Sequence, residues 1–375
     1  MGSSLSKAEF ATVLADQKVN FGDEIVLVCE AKTEDQTATW QKNDQKLNCV
    51  HGKHTVEKRG NVFRLKIKKA DEQDEGKYTI TLKDKWGSES CSTLVTVELN
   101  EWRELEWNQD RMISELRDFK IGEDEVEQLN FLLYGPIGAG KSSVINTIKT
   151  IFEERLYVNY LAAEGSTSQT IYYKKCEVGN SKDGFLPFTF NDIMGVEKGN
   201  QCGVHTDDII STLKGHVKEG YQFNPNSPLT ELNLYYRKNP SMSDRIHCLV
   251  YVIPADRLSM IDEDTIQKMQ RVREEAKRMD LPHVIFMTRV DVACPITKKD
   301  LRSVYKSKKI NKKMEECSLA LGVQKSCIFP VKNYHEEKDI KEDINCLMLD
   351  ALTKIVHWAD DYVVKYSSKL SSSEL

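Results

Sequence analysis

The chain has 375 residues, of which 40% are hydrophobic and 30% are charged, and these proportions are typical of a soluble globular protein with two or three domains. Its net charge of −5 gives no reason to expect nucleic acid as the main partner. No apolar run approaches the roughly 20 residues that a membrane-spanning helix requires. The ten cysteines stand singly, without a C-x-x-C pair, which predicts reduced thiols in a cytoplasmic protein and no zinc site.

Residues 1–9 are expected to form a flexible leader without the apolar core of a signal peptide. The opening MGSSLS fits the pattern M-G-x-x-x-[ST], which makes Gly2 a candidate for N-myristoylation, with an expression-tag remnant as the alternative. One myristoyl chain gives only marginal membrane affinity, and no nearby cysteine can accept a second acyl chain. Any membrane contact through this segment should therefore be weak and reversible.

Residues 10–99 consist of short alternating segments separated by turns, which predicts an all-β sandwich. Cys29 and Trp40 occupy the positions of the strand-B cysteine and the buried strand-C tryptophan of an immunoglobulin domain. The residues from Asp74 to Tyr78 fit the D-x-G-x-Y of the tyrosine corner. The segment therefore resembles intermediate-set (I-set) immunoglobulin domains, which implies a module that recruits a protein partner.

The second cysteine of that immunoglobulin pattern is replaced by Ile80, so the usual disulfide cannot form. Cys29 is then expected to be a small buried hydrophobic residue. Cys91 is predicted to lie on another strand and does not obviously substitute for the missing partner. This departure is typical of immunoglobulin domains in intracellular proteins.

Residues 100–128 are a charged connector with apolar residues at helical spacing. These apolar residues are Trp102, Leu105, Met112, Leu116 and Phe119. The spacing predicts a helix that docks on one of the domains, and a partner-binding helix is the alternative.

The clearest chemical signal is the apolar strand LNFLLY, which runs into GPIGAGKS and then into a helix. This fits G-x-x-x-x-G-K-[ST], the phosphate-binding loop. Glycines allow the backbone to approach phosphate oxygens, and the amides at a helix N-terminus attract anions. Lys141 is expected to reach the β- and γ-phosphates, and the Ser142 hydroxyl to bind Mg²⁺. The predicted phosphate-contacting residues are Gly135, Gly138, Ala139, Gly140, Lys141, Ser142 and Ser143.

Residues 129–366 alternate between strand and helix patterns, which predicts a doubly wound α/β domain of the P-loop GTPase-like class. A strand ends in Asp192-Ile-Met-Gly195, where the aspartate is expected to help hold Mg²⁺ and the Gly195 amide to meet the γ-phosphate. An upstream threonine should complete the Mg²⁺ site, and Thr167 is preferred over Thr170. The polar tail, residues 367–375, is expected to be disordered.

Val196 follows Gly195 at the position where Ras-type GTPases carry the glutamine that orients the attacking water. Its presence predicts hydrolysis that is slow or depends on a partner. Glu197 and His205 lie nearby in sequence, but a role as loop residues explains them more simply than catalysis. No catalytic residue is therefore assigned.

The strand HVIFMT runs into Thr288-Arg289-Val-Asp291, which is similar to the [NT]-K-x-D base-reading motif of GTPases. An aspartate there accepts two hydrogen bonds from guanine that adenine cannot supply. Arg289 stands in the lysine position and is able to stack on the base. The loop at Lys332 and Asn333, after the last predicted strand, is expected to lie near the base.

Several motifs in the region from Trp102 to Tyr366 resemble the interferon-induced protein 44 family. They are LLYGPIGAGKSSVINT, DIMG, GYQFNP, SDRIHCLVYV, TRVD and HWADDY. The resemblance implies a cytoplasmic, interferon-inducible protein of the antiviral response, and it implies GTP binding more firmly than turnover. The immunoglobulin-type segment departs from the founding members of that family.

The leading hypothesis is a guanine-nucleotide switch that uses GTP or GDP with Mg²⁺, recruits a protein partner and self-associates in a nucleotide-dependent manner. The alternative is an interaction scaffold in which nucleotide is structural or absent, which Arg289 and the missing glutamine favour. An ATPase is the third hypothesis.

Overall fold

The computed structural model describes residues 8–98, 100–157, 172–180, 184–199 and 203–373. The chain divides into two compact units, with the boundary between Trp102 and Arg103. Each unit has its own sheets and its own core, and each is described separately below. The predicted lipidation site Gly2 lies outside the described residues.

The first unit is a β-sandwich of two sheets, with strand orders β1-β3-β7-β6 and β2-β9-β8-β4-β5. All its paired strands are antiparallel except β2 and β9, which run parallel. The strands are β1 (Phe10–Thr12), β2 (Gln17–Asn20), β3 (Ile25–Ala31), β4 (Thr37–Lys42), β5 (Gln45–Lys46), β6 (His54–Arg59), β7 (Val62–Ile67), β8 (Gly76–Lys83) and β9 (Ser88–Glu98). The predicted immunoglobulin-like sandwich is confirmed.

Apolar residues from both sheets form the sandwich core, because alternate side chains of each strand point inward. Cys29 and Ile80 are fully buried, and Trp40 is nearly so. The Tyr78 hydroxyl donates a hydrogen bond of 2.8 Å to the backbone oxygen of Asp74, which completes the predicted tyrosine corner. Ala8 is also buried in this core, so the sandwich begins inside the segment that the sequence predicted as a flexible leader.

The second unit contains a six-stranded sheet in the order β11-β12-β10-β13-β14-β15. Its described strands are all parallel to their neighbours except β11, which runs antiparallel to β12. The strands are β10 (Leu129–Tyr134), β11 (Lys174–Asn180), β12 (Gly184–Asp192), β13 (Cys248–Pro254), β14 (His283–Thr288) and β15 (Ile328–Pro330). This confirms the predicted α/β architecture with a parallel sheet.

The helices of the second unit alternate with these strands along the chain. They are α1 (Gln109–Asp118), α2 (Lys141–Glu153), α3 (Thr206–Leu213), α4 (Glu263–Arg278), α5 (Val290–Ala293), α6 (Pro295–Lys299), α7 (Lys308–Leu321) and α8 (Glu342–Ser373). Helix α8 extends into the predicted disordered tail, because no glycine or proline interrupts the helix over these 32 residues. None of the helices in the described ranges combines the length and apolarity needed to cross a membrane.

Strand β10 lies in the middle of the sheet and positions the glycine-rich loop, residues 135–140. All six of its residues are buried, as expected for a strand covered on both faces. The chain leaves β10 for β12 on one side and then crosses to β13 on the other. Ligands of open α/β sheets bind at such a point of reversal, outside the carboxyl ends of the strands.

Helix α1 of the connector packs against α8 of the same unit. Met112 and Leu116 are the buried residues of α1. The Asn345 side-chain amide of α8 donates a hydrogen bond of 2.9 Å to Gln109 Oε1. The Phe119 ring meets the His357 ring edge-on at 5.5 Å. Its apolar face is therefore covered within the unit, as the docked-helix prediction requires.

Candidate functional site

The glycine-rich loop turns sharply between β10 and α2. Gly138 and Gly140 have φ angles of +71° and +96°, in the left-handed region that glycine adopts without strain. Gly135 lies so close to β13 that an added Cβ would be 2.2 Å from the Val252 backbone oxygen. Gly140 is the N-cap of α2, and its lack of a side chain leaves the first turn without a side-chain cap. The loop therefore presents a helix N-terminus at the carboxyl edge of the sheet.

Lys141 begins α2 and folds back over this loop. Its side chain donates hydrogen bonds of 3.1 Å to the Gly135 oxygen and 3.2 Å to the Pro136 oxygen. The residue is only 8% exposed, and burial lowers the pKa of its ammonium group to about 8, an effect that nearby Asp192 partly opposes. A buried ammonium group that is bonded to backbone carbonyl oxygens is well placed to bind a strongly anionic ligand.

Ser142 and Asp192 meet where α2 begins and β12 ends. The Ser142 hydroxyl donates a hydrogen bond of 2.8 Å to Asp192 Oδ2. Beyond Asp192, the Val196 amide donates 3.1 Å to the Gly135 oxygen. Gly195 passes so close to the loop that an added Cβ would lie 2.6 Å from the Ile137 side chain. The structure thus brings the D-x-x-G segment against the glycine-rich loop.

Two further strand ends hold the loop from its other side. The Thr288 hydroxyl, at the end of β14, donates 2.7 Å to the Ala139 oxygen. The Asn333 side-chain amide donates a hydrogen bond of 3.3 Å to the Gly140 oxygen. Its side-chain oxygen accepts a hydrogen bond of 3.4 Å from the Thr147 hydroxyl of α2. Sequence reasoning placed Asn333 near a base and missed its contact with the loop. The signal for Asn333 was a polar residue three positions after the last strand.

The remaining predicted base-contacting residues form a second group beside the loop. Arg289 adopts a left-handed backbone conformation, and its Nε lies 3.0 Å from Asp256 Oδ1. Asp291 Oδ2 lies 3.5 Å from Lys332 Nζ, which also forms a 2.6 Å ion pair with Glu337. Asp256 was not predicted as a site residue, although an aspartate two residues after a buried strand was a visible signal.

Four further residues that the sequence singled out have other outcomes. Thr167 and Thr170, the candidates for the Mg²⁺ site, lie outside the described residues. The Glu197 backbone oxygen accepts a hydrogen bond of 2.8 Å from the Lys268 ammonium group. His205 is the N-cap of α3, and its side chain accepts a hydrogen bond from the Asp207 backbone amide. For both Glu197 and His205 these contacts fit the structural reading.

The GYQFNP motif packs around a buried carboxylate of α3. Asp208 is fully buried. Its carboxylate accepts a hydrogen bond of 3.1 Å from the Tyr221 hydroxyl and one of 2.6 Å from the Leu229 backbone amide. Burial raises the pKa of the Asp208 carboxyl, against the lowering effect of these two hydrogen bonds. Tyr221 and Leu229 thus anchor residues 220–229 to α3.

The DRIHC motif supports the start of the two central strands. His247 is fully buried. Its Nδ1 accepts a hydrogen bond of 2.9 Å from the Asn130 backbone amide, and its Nε2 lies 2.9 Å from the Met242 backbone oxygen. With Nδ1 accepting, the neutral ring carries its proton on Nε2 and donates it to that oxygen. Burial lowers the pKa of the ring to about 4.

We expect His247 to make the second unit sensitive to acid. A histidine titrates near 6.5 when unfolded, so between pH 6.5 and 4 the unfolded chain binds a proton that the folded one excludes. Stability should fall by about 2–3 kcal/mol as pH drops through that window. Denaturant melts at pH 7.5 and 5 measure this loss, which His247→Gln should reduce. An equal loss in that variant would assign the effect to other groups, such as His283, whose pKa burial also lowers.

The fold and the candidate site define a two-unit protein that joins an immunoglobulin-like sandwich to an α/β unit. The central strand of the α/β unit ends in a glycine-rich loop that is contacted by a lysine and a threonine. A serine–aspartate pair lies where the helix after this loop begins. Residues 8–97 match the family described as the immunoglobulin I-set domain.

Over two thirds of its length the chain is homologous to interferon-induced protein 44. It is 33% identical to that protein from Homo sapiens over 253 residues, which are 67% of this chain and 57% of the relative. Interferon-induced protein 44 from Mus musculus is 32% identical over 253 residues, with coverages of 67% and 60%. Interferon-induced protein 44-like from Homo sapiens is 29% identical over 257 residues, with coverages of 68% and 57%. The chain thus spans little more than half the length of these relatives.

Solved immunoglobulin domains are also similar to part of the chain. Titin domain M7 is 32% identical and covers 26% of this chain and 99% of its own, with a TM-score of 0.25. Titin domain M3 is 23% identical and covers 24% of this chain and 97% of its own, with a TM-score of 0.24. The immunoglobulin assignment depends on the I-set family match and the sheet topology, not on these scores.

Proposed function

We propose that the second unit binds a guanine nucleotide with Mg²⁺ at the glycine-rich loop and acts as a nucleotide-dependent switch. The observation that carries this proposal is the convergence of Lys141, Ser142 and Asp192 on a helix N-terminus at the carboxyl edge of a parallel sheet. Phosphate oxygens would replace the backbone carbonyls as partners of the Lys141 ammonium. The phosphate oxygens would also accept hydrogen bonds from the backbone amides in the first turn of α2.

The pair formed by Ser142 and Asp192 fits a hard cation. Mg²⁺ prefers oxygen ligands and is usually held by one or two protein groups together with substrate phosphates. In the described part of the chain no cluster of three or more His, Cys, Asp or Glu is placed to bind a metal. Ser142 and Asp192, together with the nucleotide phosphates, would hold Mg²⁺, and the ion would neutralise phosphate charge.

Base selection is assigned to Asp291. Its carboxylate is half-buried and lies 3.5 Å from Lys332, a separation that leaves the contact loose. Guanine offers two adjacent N–H donors to such a carboxylate, and Lys332 keeps Glu337 as a partner when the base arrives. Arg289 is turned toward Asp256, which favours stacking of its side chain beside the base over direct reading of it.

Hydrolysis is expected to be slow or to require a partner. Val196 is apolar and almost fully buried, so it cannot orient an attacking water. Glu197 and His205 have structural contacts, and neither is assigned a catalytic role. Nucleotide binding, not turnover, is therefore the activity we propose.

At the level of the cell, the homology to interferon-induced protein 44 supports an interferon-induced immune role. We place the protein in the cytoplasm and infer that its I-set module recruits a protein partner, since such domains commonly mediate recognition. Self-association that depends on the bound nucleotide, and weak reversible membrane contact through a lipidated Gly2, extend this proposal.

A thermal-shift series with GTP, GDP and ATP, each with Mg²⁺, tests the proposal. A ligand at 100 times its Kd stabilises the folded state by about 2.7 kcal/mol, which should raise the midpoint of the second unit by about 5–10 °C. We expect this rise with GTP and GDP and not with ATP. Asp291→Asn should weaken GTP binding at least tenfold, because it removes a charge-assisted acceptor.

The outcomes separate the rival functions. No shift with any of the three nucleotides would favour an interaction scaffold, which Val196 and the Asp256 contact of Arg289 make the second candidate. An Asp291→Asn variant that binds GTP as well as the parent chain would remove guanine specificity, and a larger shift with ATP would favour an ATPase.

A further inference from the structure

The position of the missing immunoglobulin cysteine has a cysteine directly beside it. In the register of β8 and β9, Ile80 is paired with Cys91, and both side chains face the interior of the sandwich. Paired residues of neighbouring strands have Cβ atoms about 4.5–5.5 Å apart. Cys91 is therefore displaced by one strand from the position of the usual partner of Cys29.

The structure also places the two cysteines in the same core. Cys29 lies on β3 in one sheet and Cys91 on β9 in the other, and both side chains pack in the interior of the sandwich. Interaction with the Cys29 thiol lowers the pKa of the Cys91 thiol to about 7, although burial acts in the opposite direction. The same interaction and burial raise the pKa of the Cys29 thiol. Cys29 is fully buried, whereas Cys91 is partly exposed.

We propose that Cys91 is a site of reversible thiol modification and that Cys29 resolves it by closing an inter-sheet disulfide. The Cys91 thiolate attacks one sulfur of a small disulfide such as oxidised glutathione, which forms a mixed disulfide and releases one glutathione thiolate. Cys29 then loses its proton to that thiolate and attacks the Cys91 sulfur, which expels the second glutathione. In sum, two protein thiols and one glutathione disulfide give one protein disulfide and two glutathione thiols.

Reactivity and geometry both favour this sequence of steps. A thiol whose pKa is near the ambient pH is close to optimal for disulfide exchange, because it combines a large thiolate fraction with good nucleophilicity. The register of β8 and β9 places Cys91 beside Ile80, which holds the position of the usual partner of Cys29, and a disulfide requires the two sulfurs to approach to about 2.05 Å. The proposal concerns the sandwich alone and does not depend on nucleotide binding.

Tryptic mapping of the full chain after exposure to oxidised glutathione tests the proposal. Trypsin releases Cys29 in residues 19–32, Cys91 in residues 86–103 and the exposed Cys49 in residues 47–53. We expect residues 19–32 and 86–103 to become linked, with a mass two hydrogens below their sum. The linking rate should be about tenfold higher at pH 8 than at pH 6, since the thiolate fraction of Cys91 changes by that factor.

Matched variants identify each step. Cys29→Ala should leave glutathione trapped on Cys91, and Cys91→Ser should leave residues 19–32 unmodified. Cys49→Ser should link at the parent rate, which controls for oxidation at an exposed thiol. Glutathione that stays on Cys91 in the parent chain without linkage would overturn the proposal, as would modification of Cys49 alone or a link between Cys29 and Cys49.

Discussion

Replacing Lys141 with methionine is expected to weaken guanine-nucleotide binding by about 100-fold or more. The ammonium group supplies a charge-assisted contact to phosphate in a buried setting, and two such hydrogen bonds account for at least 2.7 kcal/mol. Titration calorimetry or competition with a fluorescent guanine nucleotide measures the loss. Lys149, on the same helix and only half-buried, provides the matched control, and Lys149→Met should bind within about twofold of the parent chain.

For Lys141→Met we also expect a change in stability, and this change distinguishes loss of the binding site from loss of the fold. Burial holds the pKa of Lys141 at about 8, below its unfolded value, so the charged side chain destabilises the ligand-free state at neutral pH. Lys141→Met should therefore be more stable than the ligand-free parent by about 1–3 kcal/mol. A variant that is stabilised yet still binds nucleotide normally would show that phosphates do not bind at this lysine.

Replacing Gly135 with alanine is expected to destabilise the second unit by about 3 kcal/mol or more. The added methyl group would lie 2.2 Å from the Val252 backbone oxygen. Val252 cannot move away easily, because β13 is paired on both sides, with β10 and β14. Overpacking against fixed backbone is at the severe end of such substitutions. Urea unfolding of the full chain, followed by a probe in the second unit, measures the effect.

Gly138→Ala is the matched control within the same loop. Its nearest neighbour, the Arg257 side chain, would be 3.8 Å from the new methyl group, so space is available. Only the left-handed backbone opposes it, at a cost of about 1–2 kcal/mol. If Gly135→Ala proved no more destabilising than Gly138→Ala, the close approach of the loop to β13 would be wrong.

Different physical requirements explain the sequence of the glycine-rich loop. Gly135 is required by packing against a neighbouring strand, whereas Gly138 and Gly140 are required by their φ angles. Lys141 destabilises the ligand-free state, and proteins commonly accept such a loss at a functional site. The three glycines and the lysine therefore have different physical roles within one motif.

Features that depend on short spacings along the chain were predictable from the residue pattern alone. The glycine-rich loop between an apolar strand and a helix, and the tyrosine corner, involve residues within a few positions of one another. Backbone freedom and side-chain reach decide such contacts locally, so the residue pattern was sufficient. The two fold classes followed from hydrophobic periodicity, which reports which face of each element is buried.

Contacts between distant parts of the chain were not predictable from the residue pattern and became visible in the folded chain. Asn333 reaches the loop nearly 200 residues away, Asp256 pairs with Arg289 across two strand ends, and Cys91 lies beside Ile80. Strand order and register determine these contacts, and a shift of one residue in register would reverse the inward face of β9. The interior of the sandwich thus brought together two thiols that the sequence had left as single cysteines.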